Sequence, residues 1–293
     1  MQAYQKSLRE RIEDALIALV MLGAMAVTLY PFIYVFSLSV SDPQEVAKMS
    51  VWLFPKGFSL EAYKRAFSNP GLFTSYYNTI WYTVVGTGVN VAMTVLAGFT
   101  LSRRTFSSRH VIMMLIAFTM FFGGGLIPEY LLIKNLGLFD TRWAIILPSA
   151  ASAFLIIMAR TFFQEIPESL YESAYIDGAN DAQIMWKIAI PLSKPILAVL
   201  ALFYAVAHWN SYFPAMIYLT DPKLQPMQLY LMKLLIQEDN TMMLGSLTGF
   251  DRVLQSLSIK YAVIIIVILP IVLIYPFLQR FFIKGVMIGS VKG

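Results

Sequence analysis

The chain contains no cysteine, and only 13% of its 293 residues are charged against 58% that are hydrophobic. The first absence excludes disulfides, thiolate-bound zinc and cysteine nucleophiles, and says nothing about compartment. The second, with a mean hydropathy of +0.66, excludes the ordinary soluble globular class and implies an integral membrane protein. Motifs that carry chemistry are missing as well. There is no G-x-x-x-x-G-K-[ST] to grip a triphosphate, no H-E-x-x-H to ligate a metal, no G-x-S-x-G and no carboxylate pair within an apolar run. No catalytic centre, metal site or bound cofactor is predicted for the chain itself.

What the sequence has instead is long apolar runs. A hydrocarbon core takes about 20 mostly apolar residues per helix. Six runs of about that size lack Asp, Glu, Lys and Arg: 15–40, 74–101, 111–127, 143–159, 195–219 and 261–279. The predicted fold is all-α, a polytopic membrane protein with six transmembrane helices and a cytoplasmic loop between the fourth and fifth. Residues 1–14 form a cytoplasmic N-terminal segment, 15–279 the transmembrane domain, and 280–293 a cytoplasmic tail. The first apolar run is too long for a signal-peptide core and no A-x-A-like site closes it, so it reads as a retained span.

The net charge of +5 comes from basic residues that flank the apolar runs, as orientation signals do, rather than from a nucleic-acid-binding face. Lys6, Arg9 and Arg11 precede the first run, Arg103, Arg104 and Arg109 fill the tight loop after the second, and Arg280, Lys284 and Lys292 follow the sixth. All three groups fall on one side, which places both termini in the cytoplasm. The longer first external loop carries Lys48, Lys56, Lys64 and Arg65, and long loops count for less.

Within the runs, His208 is the one titratable side chain besides tyrosines. A proton or ion relay needs partners inside the membrane, so an ion-coupled carrier is disfavoured and His208 reads as a hydrogen-bonded packing residue. The run "FFGGGLIPEY", with Gly123 to Gly125, lets the chain bend or helices approach closely. If the protein moves anything uphill, another subunit supplies the energy.

One polar stretch interrupts this pattern, "YESAYIDGANDAQIMWKIAIPLSKP" from Tyr171 to Pro195. Pro167 and Glu168 suit the first turn of a short helix, and Ile166, Leu170 and Ala174 give it an apolar edge. Gly178 sits where the chain must turn, with a positive φ. Asn180 and Gln183 form a capping box that opens a second helix, whose Ile184 and Ile188 share a face and which Pro191 ends. Ser193 and Pro195 start the fifth span. Glu165, Glu168, Glu172, Asp177 and Asp181 make this loop acidic, which repels anionic lipid and suits a basic protein groove. A hairpin lying on the membrane merely to connect two spans is the plainer alternative.

The stretch closely resembles the EAA loop of permeases of ATP-binding-cassette importers: E-A-A, three residues, Gly, nine residues, then I-x-L-P. Here it reads Glu172, Ser173, Ala174, then Gly178, then Ile188 to Pro191, with both spacings kept and with Ser173 and Ile190 departing from the pattern. "LIKNLGLFDTRWAIILPSA", "HWNSYFPAMIYL" and "QRFFIKGVMIGSVKG" extend the resemblance to the MalG-type carbohydrate permeases over nearly the whole chain. That resemblance implies coupling helices at about 165–193 seated in a cleft of an ATPase subunit. Glu172 would be the charged contact, Ser173, Ala174, Asp177, Ile188 and Pro191 part of the loop, Gly178 the turn, and the tail from Lys284 to Gly293 a further contact. It also implies the partners: a MalF-like second permease, two ATPase subunits holding ATP and Mg, and a periplasmic or extracellular solute-binding protein. The setting would be the bacterial cytoplasmic (inner) membrane.

For the substrate, His208, Trp209, Asn210, Tyr212 and Phe213 offer aromatic and amide groups suited to a sugar, against the alternative that they are helix-packing groups. The resemblance is nearest to the branch handling oligosaccharides of plant or algal polysaccharides, such as alginate or pectin fragments. Lys48, Lys56, Lys64, Arg65, Lys134 and Arg142 are compatible with an anionic ligand. A stand-alone channel or facilitator with an incidental hairpin is the competing function class.

Overall fold

In a computed structural model of the chain, residues 7–243, 258–274 and 276 are described, and among them every regular element is helical. The predicted functional residues Lys284 and Gly293, and the end of the sixth apolar run, lie outside the described residues. The helices are α1 (Leu8–Ser39), α2 (Pro43–Ala47), α3 (Glu61–Phe67), α4 (Pro70–Ser102), α5 (Arg109–Phe118), α6 (Leu126–Asn135) and α7 (Trp143–Ile146). They continue with α8 (Ala153–Gln164), α9 (Glu168–Ile176), α10 (Asp181–Leu192), α11 (Lys194–Trp209), α12 (Phe213–Tyr218), α13 (Met227–Met243) and α14 (Ser258–Ile274).

The described residues divide into two compact units, one of 7–69, 233–243 and 258–269, the other of 70–232, 270–274 and 276. In the first, a capping box of Ser7 and Glu10 opens α1, whose 32 residues rise about 48 Å, more than a hydrocarbon core needs. Its apolar side chains are exposed until Ser37, Leu38 and Ser39, so lipid or another protein must cover them. Leu38, Val46 and Val51 form a small core, and serine hydroxyls fix the segment that follows: Ser37 Oγ donates to Leu53 O at 2.6 Å and Ser41 Oγ to Ser37 O at 2.6 Å. Lys48 pairs with Glu45 at 2.9 Å and Arg65 with Glu61 at 3.0 Å. Two of the basic residues considered for an anionic ligand are therefore paired locally, in exposed ion pairs with a carboxylate three or four residues earlier.

The second unit is organised by α4, which is long and apolar enough to cross a membrane and contains a π-helical turn at Tyr82–Gly86. It packs along α8 and α11. A Cβ on Gly98 would lie 2.8 Å from Ala159 Cβ, so the helices touch through their smallest residues, as lipid-embedded helices do. A membrane core extends from Val95 and Phe99 through Leu155, Ala159 and Phe163 to Leu200 and Tyr204. A second cluster joins Tyr82, Ile133, Ile145, Ile146, Ala215 and Tyr218.

The apolar runs at 111–127 and 143–159 are not single helices. The first breaks after Phe118 and resumes at Leu126, with Gly125 at φ 81°. Within the described residues nothing lies within 4 Å of a Cβ on Gly123 or Gly125, and it is the positive φ of Gly125 that marks the bend. The second breaks around Pro148, which cannot donate to a carbonyl in the preceding turn. Side chains satisfy the freed backbone: Asn90 Nδ2 donates to Ser149 O at 2.6 Å and Ser152 N donates to Tyr204 OH at 3.1 Å. The run at 195–219 likewise divides into α11 and α12.

Asp140, at φ 58°, clasps the loop after α12. Its carboxylate accepts from Thr220 N and Thr220 Oγ1 at 2.8 Å each and from Asp221 N at 2.9 Å. The donation from the Asp221 backbone, followed by that of the Thr220 hydroxyl, holds its pKa below the usual carboxylate value.

Candidate functional site

The polar stretch folds as two short helices joined by a tight turn. Pro167 caps α9, which ends at Ile176, and Gly178 turns the chain at φ 81°. Space is not what requires glycine there, since nothing lies within 4 Å of an added Cβ; the backbone conformation is. Asn180 Oδ1 accepts from Gln183 N at 2.9 Å while Gln183 Oε1 accepts from Asn180 N at 3.0 Å, which closes the capping box that starts α10.

Pro191 does not end α10, contrary to its reading as a terminator. The helix widens into a π-turn over Met185–Ala189 and continues through Leu192. The extra residue in that turn shifts the carbonyls that a proline ring would otherwise strike. The end comes at buried Ser193, where α10 and α11 meet at 84°. Ser193 makes no side-chain cap bond.

The hairpin has two faces. Ile166, Tyr171, Ala174, Ile184, Met185 and Ala189 are buried in the same apolar cluster as Phe99, Ala159, Phe163 and Ile196 of the spans. Leu170, expected on that edge, is 42% exposed, and Tyr171 occupies the buried place instead. The opposite face carries Glu172, Ser173, Asp177 and Gly178, all exposed, together with Ile176 at 86% exposure. Between the helices a notch of about 420 Å³ is lined by Ala174, Asp177, Gly178, Gln183, Lys187 and Ile188.

Arg103 was expected to act only as an orientation charge in a loop, yet it is 5% exposed. From the end of α4 its guanidinium lies 3.8 Å over the Tyr171 ring, with Nη2 3.5 Å from Glu168 Oε1 and donating to Tyr175 OH at 3.4 Å. The Tyr175 hydroxyl donates in turn to Asp181 Oδ1 at the start of α10. That bond to a carboxylate, with some desolvation, raises the phenol pKa above its usual value. Burial raises that of Tyr171.

The residues 208–213 do not form one surface. His208 is buried, its Nε2 3.4 Å from Asn90 Oδ1, and it lines a cavity of about 440 Å³ with Asn90, Ser149, Ser152, Tyr204 and Ser211. Trp209 instead packs edge-on to Tyr76, with ring centroids 6.0 Å apart. Asn210 turns back to its own helix, donating to Val206 O at 2.9 Å. Tyr212 and Phe213 are 41% and 45% exposed. Arg142, counted among possible ligand-facing cations, donates to Asn78 Oδ1 at 3.0 Å and lies 4.6 Å from the centroid of the Trp81 ring.

Residues 71–288 match the family profile described as "Binding-protein-dependent transport system inner membrane component". The chain belongs to this family. Over 283 residues this permease is 44% identical to "Protein LplC" of Bacillus subtilis (strain 168), covering 97% of the chain and 96% of the relative. It is 41% identical over 286 residues to "Polygalacturonan/rhamnogalacturonan transport system permease protein YtcP" of the same organism, covering 98% and 100%. Among solved structures, it matches at a TM-score of 0.86 and 36% identity a chain of "a bacterial ABC transporter involved in the import of the acidic polysaccharide alginate", covering 96% of the permease and 100% of that chain.

Two structural features of the hairpin and its surroundings escaped the sequence reading. The burial of Arg103 against α9 had no signal in its loop. The exposure of Ile176 is a consequence of which face of α9 is buried, and the periodicity of Tyr171 and Ala174 could have shown it.

Proposed function

We propose that this permease forms one half of the translocation path of an ATP-driven, binding-protein-dependent importer, and that α9 and α10 are its coupling helices. The observation that carries the proposal is the continuity of core: the buried face of the hairpin belongs to one packed cluster with the spans, while Glu172, Ser173, Ile176 and Asp177 face outward. A motion delivered to the outer face has a stiff path to α4, α8 and α11. On this reading the chain has six spans, with both ends of the sequence and the hairpin on the cytoplasmic side. Its partners are a MalF-like permease, two ATPases that hold ATP and Mg, and a solute-binding protein, in a bacterial cytoplasmic membrane. The chain itself is non-catalytic.

The cargo class is an acidic oligosaccharide. Its support is the substrates named for two similar proteins, polygalacturonan/rhamnogalacturonan and alginate, which share carboxylated sugars. His208, Asn90 and Tyr204 contribute polar groups to the membrane cavity where hydroxyl-rich cargo could bind.

The test is purification of the tagged permease from its native membrane in mild detergent, wild type against a Glu172→Ala/Gly178→Val double variant. An ATPase and a second permease bound to the wild type, and ATPase lost or uncoupled in the variant, is the expected result. A homo-oligomer with no ATPase would sink the proposal in favour of a stand-alone facilitator.

A further inference from the structure

An apolar interface holds two parts together without fixing their register, because its attraction is non-directional. Most of what joins the hairpin to the spans is of that kind: Tyr171, Ala174, Ile184, Met185 and Ala189 against Phe99, Phe163 and Ile196. Arg103 differs. From the end of α4 a single guanidinium meets three groups of α9, the Tyr171 ring, the Glu168 carboxylate and the Tyr175 hydroxyl, and Tyr175 passes the contact on to Asp181 of α10. Both polar contacts leave from Nη2, at 3.5 and 3.4 Å, while Nε has no partner among the described residues, so it is the planar stack on Tyr171 together with the Nη2 contacts that restricts the guanidinium's orientation. A charge buried to this degree is costly to separate from its partners, which makes slippage unfavourable.

We propose that Arg103 is a positioning residue of the transport cycle, locking α9 and α10 to the end of α4 in one register so that a push on the hairpin turns α4. The proposal rests on the coupling reading above. It assigns separate tasks to the two sets of contacts: the apolar cluster supplies adhesion, and Arg103 supplies orientation. Arg103→Lys keeps the charge and its pairing with Glu168 but loses the flat stack on Tyr171, so it leaves adhesion intact and keeps only part of the orientation.

The natural absence of cysteine allows a direct test. Spin labels at Met93→Cys on α4 and Ser169→Cys on α9, both exposed positions, report their separation in the assembled complex with its ATPases, with and without a non-hydrolysable ATP analogue. With Arg103 intact, one narrow distance distribution persists in both states. In Arg103→Gln the distribution shifts or broadens by about 2 Å or more on nucleotide binding, with Arg103→Lys intermediate. A role in folding alone would not make the distance depend on nucleotide. A distribution in Arg103→Gln that is as narrow as wild type in both states overturns the proposal. Should Arg103→Gln fail to assemble, Arg103→Lys, which keeps a cation near Glu168 but loses the stack on Tyr171, is read with the same labels, and a distribution as narrow as wild type in both states overturns the proposal. Gly178→Val separates the two ideas: if it uncouples ATP hydrolysis from uptake while Arg103→Gln keeps its register, only the lock is wrong, and if it too stays coupled, the coupling reading has failed.

Discussion

The imidazole of His208 fills the space that a side chain on Gly86 would need: a Cβ there would stand 2.5 Å from Nε2 and within 2.8 Å of two ring carbons. The same Nε2 lies 3.4 Å from Asn90 Oδ1, and the Asn90 amide nitrogen is committed to the break in the fourth apolar run. Gly86→Ala therefore over-packs a buried joint between α4 and α11, at a cost of about 1–3 kcal/mol. Thermal unfolding of the purified complex should show a lower Tm for this variant, and His208→Ala added to it should recover part of the loss. Equal Tm values for Gly86→Ala and wild type would contradict the close packing.

Gly178 makes a different prediction, because its neighbourhood is empty and its φ is 81°. Asparagine tolerates that conformation and valine does not, with a strain of about 1–2 kcal/mol. Gly178→Asn should transport near the wild-type rate, whereas Gly178→Val should insert normally and lose most coupled uptake. The comparison is made by uptake in cells expressing equal amounts of each variant. Equal impairment by both would point to side-chain volume and away from backbone conformation.

The capping box isolates the start of α10. Asn180→Ala removes the acceptor for Gln183 N and should weaken the local helix by about 1 kcal/mol, while Asn180→Asp keeps it. Hydrogen exchange over residues 180–184 is the measurement, with faster exchange expected in the alanine variant alone.

Ile176 is 86% exposed, so a polar replacement leaves the fold untouched. If its face meets an ATPase, Ile176→Asp should weaken binding of that subunit at least tenfold, about 1.4 kcal/mol. Titration of the separated ATPase onto the detergent-purified permease would measure it. Unchanged affinity would remove Ile176 from the interface.

The Asp140 clasp carries a pH signature. Its carboxylate pKa is lowered in the folded chain, so the unfolded state takes up the proton first as pH falls. The stabilisation is fully present above the ordinary carboxylate range and is lost as pH falls through the depressed folded value. Asp140→Asn should lower Tm by roughly 2 °C or more at neutral pH and flatten its dependence on pH in the acid range. A variant with the same acid slope as wild type would assign that slope to other groups.

What the sequence made legible was local. The turn at Gly178, the capping box at Asn180 and Gln183 and the start of the fifth span near Pro195 each depend on residues within four positions of one another. Arg103 and Tyr171 are far apart in the chain, and only the packing of α4 against α8 and α9 brings them together, so the burial of the arginine left no trace in its own loop. Pro191 was misjudged because a π-turn, which makes room for its ring, has no sequence signature of its own. Residues 208–213 looked like one polar cluster because they are consecutive, but α11 ends at Trp209 and α12 begins at Phe213, so the stretch straddles a break between two helices. The breaks at 119–125 and 147–152 follow from glycine and proline chemistry that a count of apolar residues passes over.

The 84° junction at Ser193 has a mechanical meaning. A helix lying across the end of another is a crank arm, and its length sets the gain. The arm from Asp181 to Leu192 is roughly 18 Å long and the shaft from Lys194 to Trp209 roughly 24 Å. A push of about 3 Å at the tip of such an arm tilts a rigid arm and shaft by about 10° around the junction, which carries the far end of the shaft about 4 Å sideways. Stroke in and stroke out are of the same order, so on the coupling reading proposed above a displacement of one side chain's length at the hairpin reaches the far end of α11 at comparable size.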